Sequence, residues 1–261
     1  MTIEMTVGVQ LEYGLAGTSD ILLQIEAAAD VPGQRVLQEK IEMPAGEHTG
    51  RIPGEDGLGT RVWLRSGGPL TVSYHARVAV DRPCPDFAGM AAVPPHQLGA
   101  EPTRYLLPSR FCPSDRFQSF VAHEFPGLGG GALVQASLDW IAGHLSYVPG
   151  SSGPSTAADQ TFLDREGICR DYAHLLVSFL RAGGVPARVA SVFGLGVTPQ
   201  DFHAVVEVWL DGAWHLADPT GMSSADRMAV IGVGRDAADI AFLTCFGRAD
   251  LLRQVVEVHE A

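Results

Sequence analysis

Short apolar runs separated by turn residues dominate the first eighty positions. Met5 to Tyr13, Asp20 to Ala28, Arg35 to Met43, Thr60 to Arg65 and Leu70 to Val80 alternate in polarity or carry β-branched residues, and Gly-, Pro- or Asp-rich turns divide them. Gly67-Gly68, just ahead of Leu70, is a hairpin signal. Five or six short strands at this spacing predict a small antiparallel sandwich or barrel. His48 and His75 stand alone in this region and carry no predicted chemistry.

Between residues 82 and 110 the pattern breaks at Pro83, Pro85, Pro94, Pro95, Pro102 and Pro108, which predicts a linker with little regular structure. The expected division is a β-domain with its Pro-rich linker over residues 1–100 and a second domain over 101–261. Beyond the boundary the period turns helical. Ser114-Asp115 can start a short helix through Glu124, and Gly127 to Gly131 interrupts it. Leu133, Leu138, Ile141 and Leu145 then mark an amphipathic helix from 132 to about 146. The glycine run lacks the Lys-Ser/Thr of a phosphate loop and reads as a loop only. Residues 146–160 are small and turn-rich, as the rim of a cleft often is.

A third helix is expected from Cys169 to about Ala182. Tyr172, Ala173, Leu176, Phe179 and Leu180 recur at three- and four-residue spacing, and Gly183-Gly184 ends it ahead of Pro186. Two strand-like runs then flank Asp211-Gly212, a two-residue hairpin signal. With those two residues as the loop, Leu210 faces Ala213, Val208 faces His215, and Asp218 falls opposite Val205. His203 and Asp218 become diagonal neighbours about 7–8 Å apart on one side of the sheet, within reach of an imidazole–carboxylate hydrogen bond. His215 points to the other side. A bulge in the hairpin would overturn this register.

Composition narrows the function classes. The chain has 261 residues, 46% of them hydrophobic and 18% charged, which is a globular composition with room for a sizeable core. Its formal net charge of -12, with no Lys/Arg cluster, argues against nucleic acid and anionic membranes as partners. No apolar run approaches the ~20 residues of a spanning helix, and no secretory pattern opens the chain, so the cytoplasm is the expected location. Cys84, Cys112, Cys169 and Cys245 are widely spread with no CxxC pair. Thiol-based metal sites and a disulfide framework are disfavoured, and one working thiol fits better.

Cys169 is the candidate thiol. At a helix start, orphan N–H groups and the helix dipole favour a thiolate. A thiol, an imidazole and a carboxylate in the order Cys169, His203, Asp218 are the parts of a thiol acyl-transfer enzyme. His174 lies roughly 140° around the helix from Cys169 and should not meet it. Asp201 shares parity with His203 and could line the site, though a cap or surface charge is the commoner role. A metal site built from His203, His215 and Asp218 fails on the register. A binding or scaffolding module on the same fold is the reading from a different class, and labelling of Cys169 by iodoacetamide at mildly acidic pH separates the two.

Several motifs carry a family resemblance. Gly-Ile-Cys-Arg-Asp-Tyr-Ala-His at 167–174, Gly-Val-Pro-Ala-Arg at 184–188, Asp-Phe-His-Ala at 201–204, Asp-Gly-Ala-Trp at 211–214 and Asp-Pro-Thr at 218–220 resemble the transglutaminase-like superfamily. Tyr-Val-Pro-Gly-Ser at 147–151, Tyr-Leu-Leu-Pro-Ser-Arg at 105–110 and Gly-Arg-Asp-Ala-Ala-Asp at 234–239 are similar to its bacterial cysteine-protease subgroup. The resemblance covers about residues 105–260. It implies an α+β fold, a papain/transglutaminase-like core preceded by the N-terminal antiparallel β-domain. It also implies Cys169 as nucleophile, His203 as base and Asp218 as orienting acid, a peptide or protein amide as substrate, and no cofactor or metal. Hydrolysis is the expected outcome, with protein-glutamine transamidation as the alternative. Many members carry an aromatic residue two after the histidine where this chain has Val205, which bears on the shape of the groove. For the oxyanion, the Cys169 backbone N–H is the expected donor, with Gln160 and Trp140 as side-chain candidates.

Overall fold

The alternating N-terminal runs form β1 (Ile3–Leu15), β2 (Ser19–Leu23), β3 (Gln34–Glu42), β4 (His48–Pro53), β5 (Thr60–Ser66) and β6 (Leu70–Val80) in the computed structural model, which describes residues 2–29 and 31–261. On β1, Met5, Val7, Val9, Leu11 and Tyr13 are buried, and on β6 Leu70, Val72, Tyr74, Ala76, Val78 and Val80 join them. The two strands pair with Val7 opposite Ala76, so both buried sets share one face. Two differences from the expected strands have clear causes. β4 carries no buried residue, so it has no apolar alternation to announce it. β2 ends at Leu23 because the next backbone groups pair elsewhere, the Gln24 N–H with the Phe242 carbonyl and the Ala28 N–H with the Val230 carbonyl.

The proline-rich stretch holds 3-10 turns at Phe87–Gly89 and Pro95–Gln97, followed by α1 (Ala100–Arg104). Then come α2 (Gln118–Glu124), α3 (Gly130–His144), β7 (Ser146–Tyr147), α4 (Ala158–Asp164), β8 (Glu166–Gly167) and α5 (Cys169–Ala182). The chain closes with β9 (Ala187–Gly194), β10 (His203–Leu210), β11 (Ala213–Ala217), β12 (Met228–Gly234), α6 (Ala237–Ile240), β13 (Leu243–Cys245) and β14 (Ala249–Glu260). α3 begins inside the glycine run and not after it. A Cβ at Gly131 would lie 1.5 Å from the Phe87 carbonyl oxygen, so glycine is what lets the helix start pass beneath that turn.

Among the described residues the strands form three four-stranded sheets, ordered β14-β1-β6-β3, β13-β2-β5-β4 and β11-β10-β9-β12. The first two enclose a common core and make a sandwich. β13 and β14 come from the last twenty residues, yet β13 pairs with β2 and β14 with β1, from Met5–Glu260 to Leu15–Ala249. The end of the 101–261 segment thus completes both sheets of the N-terminal sandwich. In the third sheet, α5 lays Leu176, Phe179 and Leu180 against Val189, Val206 and Val208. The other face holds Ala190, Val192, Val205 and Leu216. This mixed arrangement of antiparallel sheets and a helix-covered core is the α+β class read from the sequence. No helix among the described residues is long and apolar enough to cross a membrane.

Arg188 ties the parts together. It is only 2% exposed. Its Nε donates to Glu207 at 2.8 Å, and its Nη1 to Asp56 at 2.8 Å and Glu101 at 3.1 Å. Its guanidinium lies 4.1 Å from the Trp214 ring centroid. The partners come from β10, from the turn before β5, from α1 and from β11. Removing one member of such a set leaves buried charge without compensation, so Arg188→Ala is expected to cost about 3–5 kcal/mol in chemical denaturation. Lysine should recover little, because it cannot reproduce the guanidinium fork.

Candidate active site

Cys169 is the first residue of α5, and the residues around it explain why the helix starts there. Ile168 is extended, with φ -113° and ψ -178°. Its carbonyl accepts the Asp171 and Tyr172 N–H groups at 2.9 and 3.1 Å. The Asp171 carboxylate, three residues into the turn, accepts the Ile168 N–H at 2.9 Å. That carboxylate is fully buried and also accepts the Ser152 hydroxyl and the Arg170 guanidinium. Arg170 in turn donates to the Gly153 carbonyl at 2.8 Å. The Arg170-Asp171 pair therefore locks the 150–153 loop against the helix start and sets the height of the thiol. Gly167 has no room for a side chain, since a Cβ there would lie 2.7 Å from the Asp171 Cβ.

The hairpin has the register expected of it. Val208 faces His215, Leu210 faces Ala213, and the ladder runs to Val206 opposite Ala217. His203 Nε2 lies 2.9 Å from Asp218 Oδ2. A carboxylate can only accept, so Nε2 carries the proton and, in the neutral ring, Nδ1 is the free base. Nδ1 is buried and has no hydrogen-bond partner among the described residues. Burial alone would lower the ring's pKa. The Asp218 hydrogen bond, with the Cys169 thiol and the Asp218 charge, outweighs it and raises the pKa to about 9. Thiol and imidazole thus act on each other where α5 and β10 begin.

Asp218 is held on every side. Oδ1 accepts the Thr220 N–H at 2.9 Å and the Thr220 hydroxyl at 2.7 Å, and Oδ2 accepts the Ser223 N–H at 2.9 Å. Its side chain is 2% exposed. Burial pushes its pKa up, and the hydrogen bonds from His203 and Thr220 overcome this, so the carboxyl sits below the usual range. The carboxylate stays charged and its oxygens stay aimed.

The other sequence candidates lie elsewhere. His215 Nε2 is 3.2 Å from the Leu210 carbonyl, within its own hairpin. His174 accepts the Ala237 N–H on Nε2 at 3.1 Å and stacks on Phe111. Burial drives its pKa down to about 4, so it packs as a neutral ring. Gln160 donates to Asp164 at 2.7 Å, one turn along α4. Trp140 stacks between His144 and Phe162, with the Arg165 guanidinium over its ring. Asp201 accepts the Phe202 N–H at 2.7 Å and the Gln254 amide at 2.6 Å, which ties the loop before β10 to β14. All four cysteines are free, with Cys112 buried and Cys84 exposed beside Asp226.

One residue beside the thiol was not singled out from the sequence. β7 runs parallel to β8 with Tyr147 opposite Gly167, two residues before Cys169. The Val148 N–H donates to the Gly167 carbonyl at 3.0 Å. A two-residue strand has no periodicity to read, so the signal was only the Tyr-Val-Pro-Gly-Ser motif itself.

Comparison with known proteins bears on the fold that carries these residues. The family model described as the transglutaminase-like superfamily matches residues 126–219, which include Tyr147, Cys169, His203 and Asp218. A candidate cysteine protease from Cytophaga hutchinsonii, solved by crystallography, superposes with a TM-score of 0.92 at 27% identity, over 100% of this chain and 91% of that one. An uncharacterized protein of Mycobacterium tuberculosis is 30% identical over 204 residues, 66% of this chain and 62% of its own. A protein-glutamine gamma-glutamyltransferase of Pseudomonas aeruginosa is 33% identical over 112 residues, 37% of this chain and 17% of its own. The matched part of this chain spans less than two thirds of the length of these curated relatives. By their core fold and by the match of the family model, residues 126–219 of this chain form a transglutaminase-like domain.

Proposed function

We propose that this protein is a thiol-dependent acyl-transfer enzyme that hydrolyses peptide or amide bonds through a Cys169-His203-Asp218 triad. The observation that carries the reading is the 2.9 Å His203–Asp218 contact, which leaves Nδ1 as the free ring nitrogen beside the helix-start thiol. His203 takes the thiol proton, and the thiolate adds to the carbonyl carbon. As the tetrahedral intermediate collapses, the imidazolium returns that proton to the leaving amine and a thioester remains on Cys169. His203 then removes a proton from water, which attacks the thioester and releases the acid. Asp218 keeps the ring in the required tautomer and stabilises its charged form.

Hydrolysis is preferred over transamidation because nothing beyond the general negative charge of the chain recruits an amine. The near full-length likeness to a candidate cysteine protease supports the same choice. The His203–Asp218 pair, whose imidazole also senses the Cys169 thiol, speaks against a purely binding role. A cytoplasmic location belongs to the same proposal and rests on four cysteines spread without pairing. A peptide and amide library, incubated with and without added primary amine, tests the reading. New carboxylic acid termini are expected in both conditions. Amine adducts dominating whenever amine is present would make the protein a transamidase.

The His203 pKa gives a pH signature. The fold favours the imidazolium, so that contribution to stability is complete below about pH 6.5 and is lost as pH rises through about 9. Turnover should fall along the same alkaline limb, near pH 9, as the proton owed to the leaving amine disappears. Asp218→Asn keeps the shape and loses the charge. A serine triad loses about 10⁴ in kcat from the equivalent change. A thiol depends less on its base, so a loss of roughly 10- to 1000-fold is expected here, with the alkaline limb moved to lower pH. An unchanged pH profile would remove Asp218 from the mechanism.

A further inference from the structure

The thioester mechanism needs a donor for the oxyanion besides the Cys169 N–H, and both side chains suggested by the sequence are engaged elsewhere. Tyr147 is placed for the task. The β7–β8 bridge sets it opposite Gly167, and its ring packs 5.9 Å from the Tyr172 ring on the first turn of α5. The bridge is pinned by the Val148 N–H at one end and the Ser146 N–H, which donates to the Arg165 carbonyl at 2.9 Å, at the other. We propose that the Tyr147 hydroxyl is the side-chain donor to the oxyanion, acting with the Cys169 backbone N–H.

This assignment rests on the thioester reading above. When Cys169 Sγ bonds the carbonyl carbon, the C=O π pair moves to oxygen. That oxygen then lies in the space bounded by the Cys169 N–H and the phenol, and it accepts from both. On collapse the pair returns to C=O, the bond to the leaving group breaks, and Tyr147 keeps its proton throughout. The phenol is suited to this because it stays neutral. Burial first, and then the Cys169 thiol, push its pKa up to about 12, while the Cys169 N–H acts in the other direction on the same oxygen. The ring is a separate matter from the hydroxyl, since phenylalanine preserves the contact with Tyr172.

Two reactions of the same thiol separate the roles. p-Nitrophenyl acetate acylates Cys169 through an oxyanion, and its leaving group needs no acid. Iodoacetamide alkylates the thiol by displacement, with no oxyanion. In Tyr147→Phe the p-nitrophenolate burst is expected to slow on the order of 10²-fold, as for loss of one oxyanion donor, while alkylation stays within about twofold of wild type. An unchanged burst rate would overturn the proposal while leaving the triad intact. Equal slowing of both reactions would also overturn it, by showing that the hydroxyl acts on the thiol and not on the oxyanion. A burst that persists in Cys169→Ala would overturn the thioester reading and this assignment together.

Discussion

Cys169→Ala is expected to give a folded protein with no measurable turnover. The fold should tolerate the change because nothing structural depends on the sulfur. The start of α5 is held by the Ile168 backbone and the buried Asp171 carboxylate, and alanine is the best helix former available for the position. The half-buried thiol makes only partial packing contacts, so stability should stay within about 1 kcal/mol of wild type. Chemistry should not survive, because no other group stands at that point to form the acyl intermediate. Cys112 is buried with its pKa pushed up to about 12, which makes it inert. Thermal melts and initial rates on one preparation check both halves. Turnover retained by a folded Cys169→Ala protein would remove the mechanism.

His203→Ala should be nearly as damaging, whereas His215→Ala should be mild. General acid–base catalysis typically contributes 10²–10⁴-fold, and in the proposed mechanism His203 both takes and returns the proton, so a loss of about 10³–10⁴-fold in kcat/KM is expected. The remaining activity would come from whatever thiolate forms without the imidazole. His215 has the same chemistry but is turned to its own hairpin carbonyl, so its loss should change kcat/KM by less than about threefold. The comparison is internal to one hairpin and one residue type, which removes general effects of histidine loss. Equal losses in the two variants would mean that the register does not select the base.

The contrast between those histidines was legible before any coordinates. Asp-Gly between two apolar strands specifies a two-residue hairpin, and the twofold period of a strand then decides which side chains share a side. α5 was legible for a similar reason, since its apolar spacing and its Gly-Gly stop are both local. Elements whose partners are distant in sequence were not. β14 lies more than two hundred residues from β1, and its outward side chains, with Leu251 and Leu252 exposed, give no clean alternation. β4 buries none of its residues and exists because β5 offers it an edge. The clamp at Arg188 needs Asp56, Glu101 and Glu207, which no local pattern connects. Tyr147 escaped for the opposite reason. Its strand is two residues long, and its meaning comes only from the parallel bridge to Gly167.

Direct observation of the acyl intermediate is the measurement closest to the central claim. The protein is mixed with p-nitrophenyl acetate, quenched in acid within milliseconds, digested and sequenced by mass spectrometry. The account predicts an acetyl thioester on Cys169 that forms at the burst rate, decays at the turnover rate, and builds up far more slowly in His203→Ala. Turnover that proceeds with the acetyl group on Cys84, Cys112 or Cys245, or with no covalent adduct at all, would contradict it.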